Sequence, residues 1–222
     1  SLRWYKNMIG DCSADVVSST VPCSKKWMVG TVNSLFIGII ATAIATALGT
    51  MAALGLSRPH MPYKALIMSI LISPMIVPLI ITAAGMFFFY ARINLVYTFT
   101  GVILAHVALA TPFVVITVTA TLVGFDMNMV KAAQSLGARP IRTFFKVIMP
   151  LILPGIISGA LFAFITSFDE VVIVMFMASI DQLTIPKQMW AGIRQEISPV
   201  ILCMATCLVI LSIVLLLSLI HI

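Results

Sequence analysis

Long uncharged runs separated by short polar stretches set the pattern of the chain. The first run spans about Met28 to Leu56 and stops at Ser57-Arg58-Pro59; the second goes from about Tyr63 to Tyr90 and the third from about Thr100 to Phe125. A fourth begins near Val147 and ends at Asp169-Glu170, and a fifth runs from about Pro199 to Ile222. Each is long enough to cross a hydrocarbon core, which takes about 20 apolar residues. Lipid offers no partner to backbone N–H and C=O groups, so spans of this kind are helices. The pattern predicts an all-α, polytopic membrane helical bundle with five transmembrane spans. Residues 1–28 are expected to form an extracytoplasmic segment and residues 29–222 the transmembrane domain. The mixed segment 171–198 opens with Val171 to Met177, apolar but too short to span, and is expected either to dip into the membrane or to lie on its surface.

Two details within the runs bear on packing. Ala41, Ala45, Gly49 and Ala53 recur every four residues, and Gly155 and Gly159 stand at GxxxG spacing. Such small-residue faces let another helix backbone approach closely in lipid. Ser73-Pro74, Pro78, Pro112, Pro150 and Pro154 fall inside or at the start of spans. Proline removes a backbone hydrogen bond and bends a helix. Breaks of this kind are tolerated where protein or a water-lined cavity satisfies the freed carbonyls, which fits a transport path and equally a plain structural kink.

Composition agrees with a membrane protein: 61% of the side chains are hydrophobic, 9% are charged and the mean hydropathy is +1.16, whereas soluble domains carry about 25% charged residues. Disorder and a nucleic-acid partner are excluded, because the net charge of +6 forms no basic stripe. Six Lys/Arg (Arg58, Lys64, Lys131, Arg139, Arg142, Lys146) fall in the 31 residues of 57–64 and 124–146. Seven are spread over 1–28, 90–99 and 169–198. The density favours the first set as cytoplasmic. Cys12 and Cys23 lie in the polar N-terminal segment, where an oxidising compartment would allow a disulfide; Cys203 and Cys207 read as packed thiols. The chain starts at Ser1 and stops inside an apolar run, so the natural protein is expected to extend at both ends.

The most informative stretch is Gly124 to Pro154. Asp126 suits an N-cap, Met127 to Leu136 suit nearly three helical turns, Gly137 suits a left-handed C-terminal position, and Pro140 restarts a helix at its first turn. Val130, Ala133 and Gly137 share a narrow face of small residues, suited to docking in another protein's groove. Within this stretch Ala132-Ala133, three residues, Gly137, nine residues, Val147, one residue and Met149-Pro150 resemble the EAA loop of bacterial binding-protein-dependent ABC transporter permeases. That family's pattern is Glu-Ala-Ala, three residues, Gly, nine, Ile, one, Leu-Pro. The spacing fits throughout, while Lys131 stands at the usual glutamate, Val147 at isoleucine and Met149 at leucine. Ser73-Pro74, Ala110 to Val115, Gly124-Phe125-Asp126 and Ser167 to Glu170 resemble the spermidine/putrescine branch.

The resemblance implies a type I ABC importer permease of six spans, the first of them preceding Ser1, in the bacterial inner (cytoplasmic) membrane. It implies as partners a second permease subunit, a cytoplasmic ATPase dimer, an extracytoplasmic solute-binding protein and membrane lipid. Coupling to the ATPase would pass through about residues 124–146, with Lys131, Ala132, Ala133, Leu136, Gly137, Ala138 and Pro150 as the residues concerned. No cofactor is expected in this chain: ATP and Mg would be bound by the ATPase, and the sequence holds no phosphate-cradling loop, His-Glu-x-x-His motif or Gly-x-Ser-x-Gly turn. The chain is therefore expected not to be an enzyme.

Asp169 and Glu170 end the fourth span and are followed by more apolar residues, so they are candidates for the substrate path, pairing with a passing ammonium group. The alternatives are a membrane-boundary pair, or one bonded to a neighbouring loop or to the binding protein. His106 lies inside the third span and is expected to be a neutral imidazole bonded to a facing helix. Trp190, Tyr63 and Tyr90 read as interface anchors. The solute expected is a polyamine; an amino-acid derivative, an opine, a phosphonate or ferric iron are alternatives. An ATPase-independent channel or carrier, or an intramembrane enzyme using Asp169, are readings from other classes.

Overall fold

Helices account for the chain because each apolar run satisfies its own backbone. The computed structural model describes residues 3–10, 25–58, 60–126, 128–195 and 198–220. These form α1 (Arg3–Ile9), α2 (Lys26–Leu56), α3 (Lys64–Ile76), α4 (Leu79–Arg92), α5 (Phe99–Val123), α6 (Asn128–Ser135), α7 (Pro140–Thr143), α8 (Met149–Phe168), α9 (Val172–Met177), α10 (Ile185–Gln195) and α11 (Pro199–Ile220), with no strand among the described residues. Cys12, Cys23, Met127 and His221 lie outside the described residues.

The core is a bundle of α2, α5 and α8. Its packing inverts the rule for water. The small stripe of α2 faces inward, Ala41, Ala45 and Ala53 having no exposed surface, while Ile39 and Met51 on the same helix are 58% and 60% exposed. Lipid is as apolar as leucine, so it exerts no pull on large side chains to leave it, and close backbone approach decides which face turns in. A Cβ added at Gly49 would stand 2.7 Å from Val114 Cβ of α5, and Cβ atoms at Gly155 and Gly159 of α8 would collide with Thr121 and Thr117 of α5. Both small-residue motifs thus serve the same central helix. The buried surroundings of α5 let Pro112 stand within it without ending it.

Among the described residues, three helical segments are long and apolar enough to cross a membrane: α2, α5 and the continuous run Pro140–Phe168. The second apolar run, expected as one bent span, is two helices meeting at 103°. Pro74 and Pro78 bracket the break, with Val77 and Pro78 extended. At 1.5 Å per residue α3 and α4 are each about 20 Å long, so only together could they cross. The run Pro140–Phe168 contains one π turn, Phe144–Ile148, in which Met149 N–H donates to the Phe144 carbonyl. Pro150, next in sequence, has no N–H to donate, which favours such a shift of register there. α11 is apolar over Pro199–Leu215; it packs mainly on α1, where Trp4 and Met8 join Trp27, Ile185, Val200, Ile201 and Met204 in a second apolar cluster.

Candidate functional site

The described parts of the two loop groups separated by charge density gather apart: Ser57 and Arg58 with Phe125, Val130 and Pro140, and Tyr97 with Met177 and Gln182. At one end the 124–146 loop folds under the ends of α2 and α5. Asp126 accepts a hydrogen bond through Oδ1 from Asn128 N–H at 2.9 Å, starting α6. Gly137 has φ +79°, a left-handed conformation, and the N–H groups of Gly137 and Ala138 close the helix on the carbonyls of Gln134 (2.9 Å) and Ala133 (3.0 Å). Pro140 opens α7 at its first turn. This is the helix, turn and helix that the residues predict.

Of the narrow small-residue face, Val130 and Ala133 are half-buried and Gly137 is exposed. Val130 lines a cavity of about 330 Å³ with Leu54, Leu122, Phe125, Phe144 and Ile148. Val130 faces the ends of α2 and α5 across this cavity, which Ser57, Arg58, Gln134 and Thr143 also line. What points outward is the opposite side: Met129, Lys131, Ala132 and Ser135 are exposed, and Leu136 is 88% exposed. Ala138 is half-buried, and Pro150 is exposed at the start of α8.

At the other end lie the two acids. Asp169 ends α8, its N–H donating to Ile165 carbonyl at 3.0 Å. Its carboxylate is exposed and has no partner among the described residues. Glu170, one residue on, is buried. Its Oε1 accepts from Val172 N–H (2.8 Å) and its Oε2 from the N–H groups of Ile173 (2.8 Å) and Val174 (3.4 Å), satisfying the first turn of α9. The adjacency that suggested a pair therefore conceals two environments. Glu170 caps the helix that follows it in the chain rather than bonding a neighbouring loop.

His106 of α5 is fully buried, with Nδ1 2.8 Å from Ser167 Oγ of α8, as expected of an imidazole bonded to a facing helix. Its Nε2 stands 4.0 Å from Glu170 Oε2, a juxtaposition of residues 64 apart that no sequence spacing signals. Lys187 of α10 was also not legible: its Nζ donates to the carbonyls of Val174 (3.1 Å) and Ala178 (3.3 Å), and burial pushes the ammonium below its ordinary lysine value. Asn33 and Ser34 of α2 tie the same region down. Asn33 Nδ2 donates to the carbonyls of Asp181 and Leu183, and Ser34 Oγ accepts from Ile185 N–H.

Asp169 and Glu170 border a cavity of about 670 Å³ together with the broken span, Pro74 to Leu79, and with Leu109, Phe113, Thr166, Val171 and Val172. The proline break, the end of α8 and the start of α9 thus open on one space. A larger space of about 770 Å³ between α2 and α8 is lined almost wholly by apolar side chains and faces neither acid. That chemistry suits lipid or another membrane helix rather than a polar solute.

Comparison with known proteins gives the family of the chain. Residues 32–222 match the family described as binding-protein-dependent transport system inner membrane component. The spermidine/putrescine transport system permease protein PotC of Haemophilus influenzae is 30% identical over 184 residues, 83% of this chain and 72% of that protein. The putrescine transport system permease protein PotI of Escherichia coli is 30% identical over 213 residues, 93% of this chain and 71% of its own length. In three dimensions the chain resembles a structure of the MetNI methionine ABC transporter in inward-facing conformations, with TM-score 0.69, 19% identity, and coverage of 92% of this chain and 97% of that one. The fold, the loop and the family match converge: the chain belongs to the inner-membrane components of binding-protein-dependent transport systems and is a multi-pass permease subunit of an ABC importer.

Proposed function

We propose that this permease subunit carries a small cationic solute, a polyamine such as putrescine or spermidine, across the bacterial inner membrane. The observation that carries the reading is Asp169: an unpaired carboxylate opening on a cavity of about 670 Å³ beside a broken span. A carboxylate in apolar surroundings attracts an ammonium group strongly and rejects anions, so the cavity favours a cation. Two relatives at 30% identity being polyamine permeases supports the same solute class.

In this reading the subunit works with a second permease, a cytoplasmic ATPase dimer and an extracytoplasmic solute-binding protein. ATP and magnesium belong to the ATPase. This chain supplies the path and the lever. The exposed side of α6, with Lys131, Ala132 and Leu136, meets the ATPase. ATPase closure pushes α6, and the turn at Gly137 passes the push through Pro140 and the π turn into α8, whose far end carries Asp169. A rigid-body displacement of this kind switches access from one side to the other. Lys131 places a positive charge where the family pattern has a negative one, so its contact on the ATPase is an acidic or neutral surface.

The test is ATP-dependent uptake of labelled putrescine and spermidine by vesicles holding the complete assembly with its binding protein, in competition with a neutral disaccharide. Uptake displaced by unlabelled polyamine and not by the disaccharide supports the reading. An assembly that hydrolyses ATP yet moves neither polyamine overturns the solute assignment.

A further inference from the structure

The helix α9 has six residues, far too few to be stable by itself. Yet Ile173, Val174 and Met177 are fully buried. Its two ends are held by opposite charges brought from outside it. Glu170 receives the N–H groups of Val172, Ile173 and Val174 at the N-terminus. Lys187, on α10, donates to the carbonyls of Val174 and Ala178 at the C-terminus. A carboxylate at the positive end and an ammonium at the negative end both match the helix dipole, and both make charge-assisted hydrogen bonds. One further bond ties the same end down: Tyr97 N–H donates to Met177 carbonyl at 2.9 Å. Val171 and Val172 meanwhile form part of the wall of the cavity beside Asp169.

We propose that Glu170 and Lys187 are positioning residues that clamp α9 from its two ends and so fix the part of the transport cavity's wall formed by Val171 and Val172. The inference rests on reading the Asp169 cavity as the solute path, since Val171 and Val172, at the start of α9, form part of the wall of that space. Glu170 is not a solute ligand: to reach one, its carboxylate would have to abandon three backbone N–H groups in apolar surroundings, each costly to leave unpaired. The two neighbouring acids divide the work. Asp169 faces the solute, and Glu170 holds the wall.

The experiment uses the full importer complex in proteoliposomes, with the four native cysteines replaced by alanine and Ile173→Cys as the single reactive thiol. Maleimide labelling reports how often α9 opens. The parent is protected, whereas Lys187→Met and Glu170→Gln each label about tenfold faster or more, the range expected from losing a charge-assisted bond. Lys187→Arg, which keeps the charge and the donors, retains most of the protection. The double variant labels faster than either single one, because each bond adds to the stability of the same closed helix. In uptake, Lys187→Met and Glu170→Gln lower the turnover with KM within about twofold, while Asp169→Asn raises KM and leaves α9 protected.

Protection unchanged in Lys187→Met overturns the clamp. So does a Glu170→Gln variant with raised KM, parental turnover and a protected α9, which would make Glu170 a solute ligand. If Glu170→Gln fails to assemble, Lys187→Met and Lys187→Arg decide the matter. Should the parent move no polyamine, the solute assignment falls alone, and the labelling rates still judge the clamp.

Discussion

At the scale of single residues, Gly137 carries the sharpest local demand. Its φ of +79° belongs to the left-handed region, and a Cβ there would meet nothing within 4 Å. The cost of Gly137→Val is therefore conformational, about 1–2 kcal/mol or more for a β-branched residue. That is enough for about a tenfold loss of transport. Gly137→Asn, which tolerates the left-handed region, keeps more uptake than Gly137→Val at equal expression; equal losses would mean that size rather than φ matters there. Asp169→Asn removes the unpaired charge and raises KM for a divalent amine by about tenfold, read from uptake kinetics. Legibility at this scale followed sequence distance. Asp126, Gly137 and Pro140 act on their own neighbours, and their chemistry was visible from residue type and spacing. Asp169 and Glu170 looked alike because the end of α8, which separates their surroundings, is decided by packing. His106 meets Glu170, and Lys187 meets Val174, only through the tertiary fold.

At the scale of elements, the contact of α2 with α5 is set by Gly49, where an added Cβ would stand 2.7 Å from Val114 Cβ and 3.3 Å from the Thr111 carbonyl oxygen. Gly49→Val overpacks this contact and costs about 1–3 kcal/mol. It lowers the thermal midpoint of the purified complex, whereas Gly85→Val on α4, where an added Cβ meets nothing within 4 Å, leaves it unchanged. Equal midpoints for the two variants would remove Gly49 from the core contact. The four-residue spacing of small residues announced this seam in the sequence. Pro74 and Pro78 announced a bend but not its 103°, because a proline states where the backbone is freed and the neighbours decide how far it turns. Val130 and Ala133 of α6 pose a related problem: they form a small apolar face, and nothing local says whether it meets its own chain or another protein.

At the scale of the whole molecule, the fold is a lever joined to a path. The loop 124–146 gathers at one end under α2, α5 and the start of α8, and Asp169, Glu170, α9 and α10 gather at the other. The run Pro140–Phe168 follows the loop directly in sequence and ends at Asp169, so a displacement of α6 has a direct mechanical route to the cavity. The central claim is that transport is driven through this route by a separate ATPase. The most direct measurement is uptake of labelled putrescine by vesicles of the complete assembly, recorded with ATP hydrolysis, for the parent and for Gly137→Val. The account predicts uptake in the parent that needs ATP, and in Gly137→Val uptake reduced about tenfold with hydrolysis retained. Undiminished uptake by Gly137→Val, or uptake by this chain without any ATPase, would contradict it.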